Sequence, residues 1–359
     1  MSVLAEPVAG RLLPGNRLHL QDGPIDLVIG AEGEPAETEA AYRQAERAFH
    51  GLLPALVAEL PLLTAPVPVS GSVSSPRHDS LSAPSGGRGW GEVGDPDLDA
   101  GAPPLPQHPT SPRPSPPRRG GEGVLEENGD ATAWLSSFRH PVARAMAAAC
   151  LPHAALWVTP MAAVAGAVAD FVLAAMTEGR SLTKAWVNDG GDVACHLAPG
   201  AVLELGLVTD LAETLATGAP RGLARIAADS PVRGAATSGR QGRSLSRGIA
   251  DSVTVLARTA AEADAAATLI GNAVDLEDHP AVRRRPACEL VPDSDLGALP
   301  VVVGLGPLAP HELERALAAG AALAGTMRRA GLIEAALITL RGKHRAVPHG
   351  PIGQTREPA

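Results

Sequence analysis

Short runs of alternating apolar and polar residues recur along most of the chain, and glycine- or proline-containing turns separate them. The clearest case is residues 16–33, where two alternating runs flank Asp22-Gly23 and predict a β-hairpin. The apolar spacing becomes helical from Pro35 onward. We expect Pro54 to kink or split this helix, because proline removes a hydrogen bond from a helix interior.

The rest of the chain repeats this mixture of hairpin strands and helices. The same patterns predict helices at 137–150, 160–178, 259–274 and 310–331. They predict strands at 154–158, 201–208, 221–229, 251–258, 299–305 and 332–343, and a pair of strands within 185–197. Because the strands come in hairpins instead of strict βαβ alternation, the sequence predicts an α+β fold.

One long segment breaks the pattern and separates two parts of the predicted domain. Residues 66–127 are rich in Pro, Gly and Ser and have almost no apolar periodicity, which predicts a disordered insert. The alternative is a proline-rich ligand for a recognition domain, since this segment contains PxxP spacing with flanking arginines. The predicted domain then comprises residues 1–65 and 128–345, followed by a flexible tail at 346–359.

Composition and charge narrow the classes of function. The formal net charge is −9 and no basic stripe carries interleaved aromatics, so we expect no nucleic-acid partner. Three widely spaced cysteines form no CxxC pair, which fits a reducing cytoplasm, and the N-terminus shows no export signal. Residues 155–176 are apolar but contain Pro160 and Asp170, which favours a buried helix of a soluble protein and no membrane association.

Two glycine-containing stretches have alternative interpretations. The sequence Asn-Asp-Gly-Gly-Asp at 188–192 is either an ordinary tight turn between strands or a place where a ligand approaches bare backbone N–H groups. Residues 159–170 have small side chains at nearly every position. They indicate either tight helix packing or close approach of a ligand to the backbone.

Two further stretches carry polar groups suited to a ligand. Residues 234–244 combine glycines, hydroxyls and two arginines, which suits either a solvated loop or a loop that holds a phosphate or ribityl chain. Asp264 and Thr268 are four residues apart on a predicted helix, and their oxygens suit Mg²⁺ or Ca²⁺. The alternative is an acidic residue near a helix start and a buried threonine.

Taken in order, five motifs resemble the FAD:protein FMN transferase (ApbE-like) superfamily, and most of all an uncharacterised cytoplasmic branch of bacterial and archaeal proteins. These motifs are AVAGAVAD ending at Asp170, NDGGD at 188–192, TSG at 237–239, SVTV at 252–255 and ADAAAT at 263–268. Their order over about 110 residues makes the resemblance more specific than any single motif.

The resemblance implies two β-hairpin/helix halves (T-fold-like) packed around a central nucleotide cleft. It also implies that Asp264 and Thr268 bind Mg²⁺, with Asp264 as the catalytic residue. The residues that would bind FAD are Gly190, Gly191, Asp192, Thr237, Ser238 and Gly239. The implied function is flavin-nucleotide binding, with Mg²⁺-dependent FMN transfer to a protein acceptor or cleavage of FAD by a pyrophosphatase reaction.

Departures from the family pattern leave two other functions open. Family transferases have a Lys where this chain has Ala165, and a His-x-x-Asp-Pro stretch that is absent after Gly239. The alternative is therefore a non-catalytic binding or assembly protein with the same fold. A role in sulfur metabolism through Cys195, expected beside the pocket, is the third possibility.

Overall fold

The computed structural model describes residues 8–69, 127–207 and 222–347, and these form a mixed α+β fold, as predicted. The strands are β1 (Val8–Leu13), β2 (Arg17–Asp22), β3 (Ile25–Gly33), β4 (Leu182–Asp189), β5 (Asp192–Leu197), β6 (Val202–Leu207), β7 (Gly222–Ala227), β8 (Gly234–Ser238), β9 (Ser252–Ala257), β10 (Val282–Pro286), β11 (Pro300–Leu305), β12 (Ala335–Leu340) and β13 (Lys343–Val347). The α-helices are α1 (Pro35–Phe49), α2 (Leu52–Ala58), α3 (Leu60–Leu63), α4 (Glu127–Ser136), α5 (Pro141–Cys150), α6 (Val164–Thr177), α7 (Ala260–Ala273) and α8 (Pro310–Arg329).

Nine strands form one antiparallel sheet in the order β1-β2-β3-β4-β5-β8-β9-β12-β13. Strands β6 and β7 form a separate hairpin, as do β10 and β11. In the middle of the large sheet, β5 and β8 pair through only two residue pairs, Val193 with Ala235 and Ala194 with Gly234. The first five strands and the last four are therefore joined by fewer paired residues than any other two neighbouring strands of this sheet.

The main core lies between the large sheet and the helices α1, α5, α6 and α7. Leu18 and Leu20 of β2 are buried, as are Leu27 and Ile29 of β3, which is the alternation of a sheet with one face against a core. Small side chains let α6 and α7 approach closely. A Cβ at Gly166 of α6 would lie 2.3 Å from the Ala260 carbonyl oxygen at the start of α7.

Asp170 of α6 fixes the start of α7. Its carboxylate accepts the N–H groups of Ala260 at 3.0 Å and Ala261 at 2.9 Å, and the Thr259 hydroxyl accepts the N–H of Glu262 at 3.1 Å. These bonds satisfy backbone donors that have no partner within the helix itself. The stretch of small residues at 159–170 therefore serves tight helix packing, one of its two predicted uses.

A second, smaller core covers part of the sheet's other face under the β6–β7 hairpin. It contains Cys195 and Leu197 of β5 together with Leu203, Ile226 and Val232. The neighbouring Ala194 belongs to the main core, so β5 alternates between the two layers as an antiparallel strand should. The predicted strand pair at 185–197 is the β4–β5 hairpin.

Several sequence predictions differ from the structure. The strand predicted at 154–158 is wrong, because these residues follow a 3₁₀ helix at Leu151–His153 and are held by turn hydrogen bonds to it. The single strand predicted at 332–343 is the hairpin β12–β13, whose turn at Arg341-Gly342 has φ values of 50° and 73°. Strands β1, β8 and β10 were not predicted, and β8 forms the first half of the stretch 234–244, which was interpreted as a loop.

The segments predicted as insert and tail lie mostly outside the described residues. Val67, within the predicted insert, is nevertheless buried, and its N–H donates to the Val158 carbonyl at 2.8 Å. Strand β13 likewise extends to Val347, inside the predicted tail. Val67 and the last residues of β13 therefore belong to the packed domain, whereas the predicted disorder of residues 70–126 stays a prediction.

One segment, Pro160–Thr177, is apolar and long enough to cross a membrane by length and composition alone. In the structure, its α6 portion packs against α1, α7, β4 and β5. Val168, Ala169, Val172 and Met176 are fully buried there. This packing is that of a core helix of a soluble fold.

Candidate functional site

Residues from four separate motifs line one cavity of about 430 Å³. The cavity lies between the β4–β5 turn, the end of β8 and helix α7. The predicted site residues on its wall are Gly190, Asp192, Thr237, Ser238, Gly239, Asp264 and Thr268. Gly191 instead lines a neighbouring cavity of about 540 Å³. The two cavities share Gly190, Thr237, Ser238, Gly242 and Arg243.

The β4–β5 hairpin places the Gly-Gly turn at the cavity. Gly190 has φ 61° and Gly191 has φ 117°, conformations that side-chain-bearing residues rarely adopt. The Asn188 side-chain oxygen accepts the N–H of Gly191 at 2.9 Å. Asn188 to Asp192 is therefore a tight turn that also forms cavity wall, so the two interpretations of this stretch are compatible.

The divergence of β5 from β8 positions Asp192. Beyond the two paired positions, the Thr237 N–H donates to the Asp192 carboxylate at 3.0 Å instead of to a β5 carbonyl. The Thr237 hydroxyl lies 2.9 Å from the Thr254 hydroxyl on β9. A carboxylate and a threonine are thus held where these two central strands separate, on the wall of the cavity.

Asp264 lies on α7 with its carboxylate fixed by the neighbouring helix. The Gly166 N–H of α6 donates to Asp264 Oδ2 at 3.1 Å. Gly166 also lies directly against the start of α7, so helix packing and carboxylate position depend on the same residue. Thr268 is one helical turn further along and lines the same cavity.

Three carboxyl groups share this side of the cavity. Burial is the main cause that raises the pKa of Asp189 to about 6, and burial together with the nearby Asp189 raises the pKa of Asp192 to about 7. Burial and then Asp192 raise the pKa of Asp264 well above its ordinary value. The guanidinium of Arg243 acts in the opposite direction on Asp189 and Asp192. A bound cation would stabilise the ionised form of these buried carboxyl groups.

The donor set fits a hard cation that takes few protein ligands. Within the described ranges, no three His, Cys, Asp or Glu side chains converge as a complete metal site. Asp264 and Thr268 offer a carboxylate and a hydroxyl, and Mg²⁺ commonly completes its shell with water and phosphate oxygens. These residues therefore suit Mg²⁺ held jointly by protein and ligand.

Part of the remaining cavity wall is an apolar patch. Trp157 and Leu60 lie on it and are about two-fifths exposed, at 38% each. The Arg247 guanidinium carbon lies 5.6 Å from the centre of the Trp157 ring, on the face of the indole. Met161 and Val291 extend the apolar surface. The aromatic part of a ligand can thus contact the apolar patch while its polar or charged part contacts the polar wall.

Comparison with known proteins assigns the chain to a family. A family model described as "AbpE bacteria" matches residues 10–81 and 126–346. The chain belongs to this ApbE-like family. The unmatched gap at 82–125 falls inside the segment predicted from composition to be an insert.

Two curated relatives of this ApbE-like protein are archaeal and named UPF0280 protein. The one from Methanothrix thermoacetophila is 38% identical over 130 residues, covering 35% of this chain and 50% of the relative. The one from Methanococcus vannielii is 37% identical over 132 residues, covering 32% of this chain and 45% of the relative. The chain thus spans about half the length of these relatives.

Sequence reasoning missed several cavity residues of this ApbE-like chain, among them Asp189, Arg243 and Trp157. Asp189 and Arg243 lie inside stretches that were singled out, yet neither was named as a site residue. The signal for Asp189 was its place beside the Gly-Gly turn, and the signal for Arg243 was the Gly-Arg-Ser run after the Thr-Ser-Gly motif. Trp157 was assigned to a strand that does not form, which concealed it.

Cys195 does not lie on either cavity wall of the ApbE-like domain, contrary to its expected position beside the pocket. It is buried in the small core under the β6–β7 hairpin. Burial raises the pKa of its thiol to about 11, so the reactive thiolate is scarce at neutral pH. Its surroundings are those of a structural cysteine.

Proposed function

We propose that this ApbE-like protein binds a flavin nucleotide in the 430 Å³ cavity and, with Mg²⁺, acts as an FMN transferase or an FAD pyrophosphatase. The observation that carries the proposal is the convergence of three motifs on one cavity, through Asp189, Gly190 and Asp192, residues 237–239, and Asp264 with Thr268. Fold and family membership are the background, since the activity itself must be argued from the site.

The cavity offers a complementary surface to each part of a flavin nucleotide. Trp157, Leu60 and Met161 form an apolar wall suited to a flat ring. Thr237 and Ser238 offer hydroxyls, and Gly190 and Gly239 line the cavity without side chains of their own. A nucleotide that spans both kinds of wall matches this division better than a purely apolar ligand.

The carboxylates and hydroxyl supply the proposed chemistry. Asp264 and Thr268 would hold Mg²⁺, which would supply positive charge to stabilise the negative charge of the pyrophosphate. Asp264, as the catalytic residue, is positioned for this by its hydrogen bond from Gly166. In the transfer reaction a protein Ser or Thr hydroxyl takes the FMN group and AMP leaves, whereas in pyrophosphatase action water takes the place of the hydroxyl.

The proposed architecture and setting follow the resemblance. The short pairing of β5 with β8 supports a division into two β-hairpin/helix halves with the nucleotide cleft between them. We place the protein in the cytoplasm, with a flavin nucleotide and a protein acceptor as partners and neither nucleic acid nor membrane.

Titration with FAD tests this function. The purified protein is titrated with FAD with and without Mg²⁺ while flavin fluorescence is followed, and the mixture is then analysed for FMN and AMP. Saturable binding is expected. A pyrophosphatase would also release FMN and AMP with Mg²⁺, whereas a transferase would release AMP only after an acceptor protein is added. Absence of FAD binding in both conditions would refute the proposal.

Substitution of Asp264 tests the residue assignment. Asp264→Ala should abolish Mg²⁺-dependent turnover while the protein still folds. Glu262→Ala is the matched control, because Glu262 lies on the same helix, outside the cavity, where it pairs with Arg258 at 3.3 Å. Equal turnover in the Asp264→Ala variant and the wild type would remove Asp264 from the mechanism.

A non-catalytic binding or assembly protein is the second candidate. The specific observation in its favour is Ala165, which lines the cavity without a charge where the family's transferases have Lys. FAD binding without production of FMN or AMP at any Mg²⁺ concentration, with or without added acceptor proteins, would favour this candidate, whereas AMP release would exclude it.

A further inference from the structure

Arg243 has a distinctive place among the residues that surround the two cavities. It lines both of them, and it is the sole Lys, Arg or His side chain on either wall within the described parts of the chain. Its neighbours include Asp189 and Asp192, whose pKa values it lowers. A single positive charge therefore stands at the boundary of two cavities whose other charged groups are acidic.

The guanidinium of Arg243 is available to a ligand. Across residues 8–69, 127–207 and 222–347, it makes no hydrogen bond within 3.5 Å and no ion pair within 4.0 Å. The other arginine near the start of this loop, Arg240, is instead paired with Asp251. Arginine presents five N–H donors in a planar fork that matches phosphate oxygens. Arg240 therefore holds the loop, while Arg243 has unused donors at the cavity.

The Gly-Gly turn determines where the guanidinium of Arg243 can lie. A Cβ built on Gly190 would be 2.1 Å from an Arg243 guanidinium nitrogen. The absence of a side chain at Gly190 thus lets the guanidinium lie against the turn, close to the cavity edge. This contact gives Gly190 a role beyond its positive φ.

We infer that Arg243 binds the phosphate groups of the cavity's ligand and makes the site prefer phosphorylated flavins over riboflavin. This inference rests on the proposed function, which it deepens by assigning the residue that recognises the phosphate. Charge and donor geometry act together here, because a phosphate accepts two parallel N–H bonds from one guanidinium.

A ligand series separates phosphate recognition from ring recognition. Dissociation constants are measured for riboflavin, FMN, FAD and ADP with the wild type, Arg243→Ala and Arg243→Lys. We expect Arg243→Ala to weaken FMN, FAD and ADP by about 10- to 100-fold, the range for loss of a charge-assisted hydrogen bond, and to leave riboflavin unchanged. Arg243→Lys should lie in between, because lysine keeps the charge but not the fork.

Two controls exclude a general loss of structure. Arg258→Ala removes an exposed arginine that pairs with Glu262 away from the cavity, and it should bind every ligand like the wild type. Binding of Mg²⁺ alone should be equal or tighter in Arg243→Ala, because a positive charge near the carboxylates has been removed. The same variant is thus expected to weaken phosphate binding without weakening cation binding.

Gly190→Ala provides an independent route to the same effect. Its Cβ would displace the Arg243 guanidinium, so it should also weaken the phosphorylated ligands more than riboflavin. Gly191→Ala carries the same kind of backbone strain but faces open space within 4 Å. It should therefore lose less affinity than Gly190→Ala.

The outcomes distinguish this inference from the proposed function. If the wild type binds FAD and Arg243→Ala binds FAD equally well, the inference is wrong and the proposed function stands. Equal weakening of riboflavin and FMN in Arg243→Ala would also overturn it, because the residue would then only shape the site. If the wild type binds ADP through Arg243 but no flavin, phosphate recognition stands and the flavin function fails.

Discussion

The close approach of α6 to α7 yields a quantitative prediction for Gly166→Ala. The new Cβ would lie 2.3 Å from the Ala260 carbonyl oxygen and 2.7 Å from the Ala261 nitrogen, both of which belong to backbone. Ordinary contact begins at 3.4 Å, so the helices must separate by roughly 1 Å at this point. Backbone at a helix start cannot rotate away as a side chain can.

Two opposing free-energy contributions set the size of the effect. Alanine is favoured over glycine within a helix by about 1 kcal/mol, which would stabilise the variant. Overpacking of a tight core costs typically about 1–3 kcal/mol and sometimes more, and here no flexible side chain can move to relieve it. We therefore expect net destabilisation of up to about 2 kcal/mol for Gly166→Ala.

Urea unfolding followed by circular dichroism measures this difference, and Gly325→Ala in α8 is the matched control. A Cβ at Gly325 would meet only the far end of the Arg329 side chain, at 3.4 Å. That variant should be unchanged or more stable by up to about 1 kcal/mol. If Gly166→Ala proves as stable as Gly325→Ala, the argument that backbone contact limits the helix spacing is refuted.

Three further predictions concern a buried carboxylate, pH dependence and thiol exposure. Glu59→Ala should lose about 1–3 kcal/mol in urea unfolding, because Glu59 accepts two backbone N–H bonds, of 2.8 Å and 2.6 Å, before α5, whereas the exposed Glu39→Ala should change little. Burial raises the pKa of Asp189 to about 6, so the folded protein holds this proton more tightly than the unfolded chain does. Its contribution to the free energy of unfolding is complete below pH 4 and is lost as the pH rises through 6. In EDTA, the stability of the wild type should therefore fall relative to that of Asp189→Asn over this interval, and parallel profiles would contradict this. At neutral pH a thiol reagent should label the exposed Cys288 alone in the native protein and all three cysteines in denaturant; labelling of native Cys195 would show that its core opens.

Local patterns predicted the elements whose signals are local. Alternation around Asp22-Gly23 identified the β2–β3 hairpin, and helical spacing with Pro at the start identified α1. In both cases one face of the element is buried, so the periodicity of the residues reports directly on the structure. The α+β class followed from the order of such elements.

Elements fixed by distant contacts could not be predicted in the same way. β10 has the sequence Val-Arg-Arg-Arg-Pro and forms only because β11 pairs with it. The apolar run at 154–158 has strand propensity but no strand partner, since turn bonds such as Leu156 N–H to the His153 carbonyl organise it. Strand propensity reflects packing against neighbours, so these two errors have the same origin.

The site was partly predictable because its motifs are short and local, yet their convergence is not a local property. Asp264 could be named from its helix position, but its bond to Gly166 joins residues 98 positions apart. Arg243 has a similarly hidden role, because its contact with Gly190 depends on the fold bringing two loops together. A sequence pattern can suggest polar residues for a ligand, but it cannot show which of them share a cavity.

Small residues link the packing of this protein to its candidate site. Gly166 allows α6 to approach α7 and, through its N–H group, holds the Asp264 carboxylate. Gly190 forms the β-turn and leaves space for the Arg243 guanidinium. In each case the lack of a side chain on one glycine permits a structural feature of the fold, and the same glycine contacts a group that lines the cavity. The question of whether such a stretch is structural or functional therefore has no single answer here, because substitution of either glycine must change the packing and the site at once.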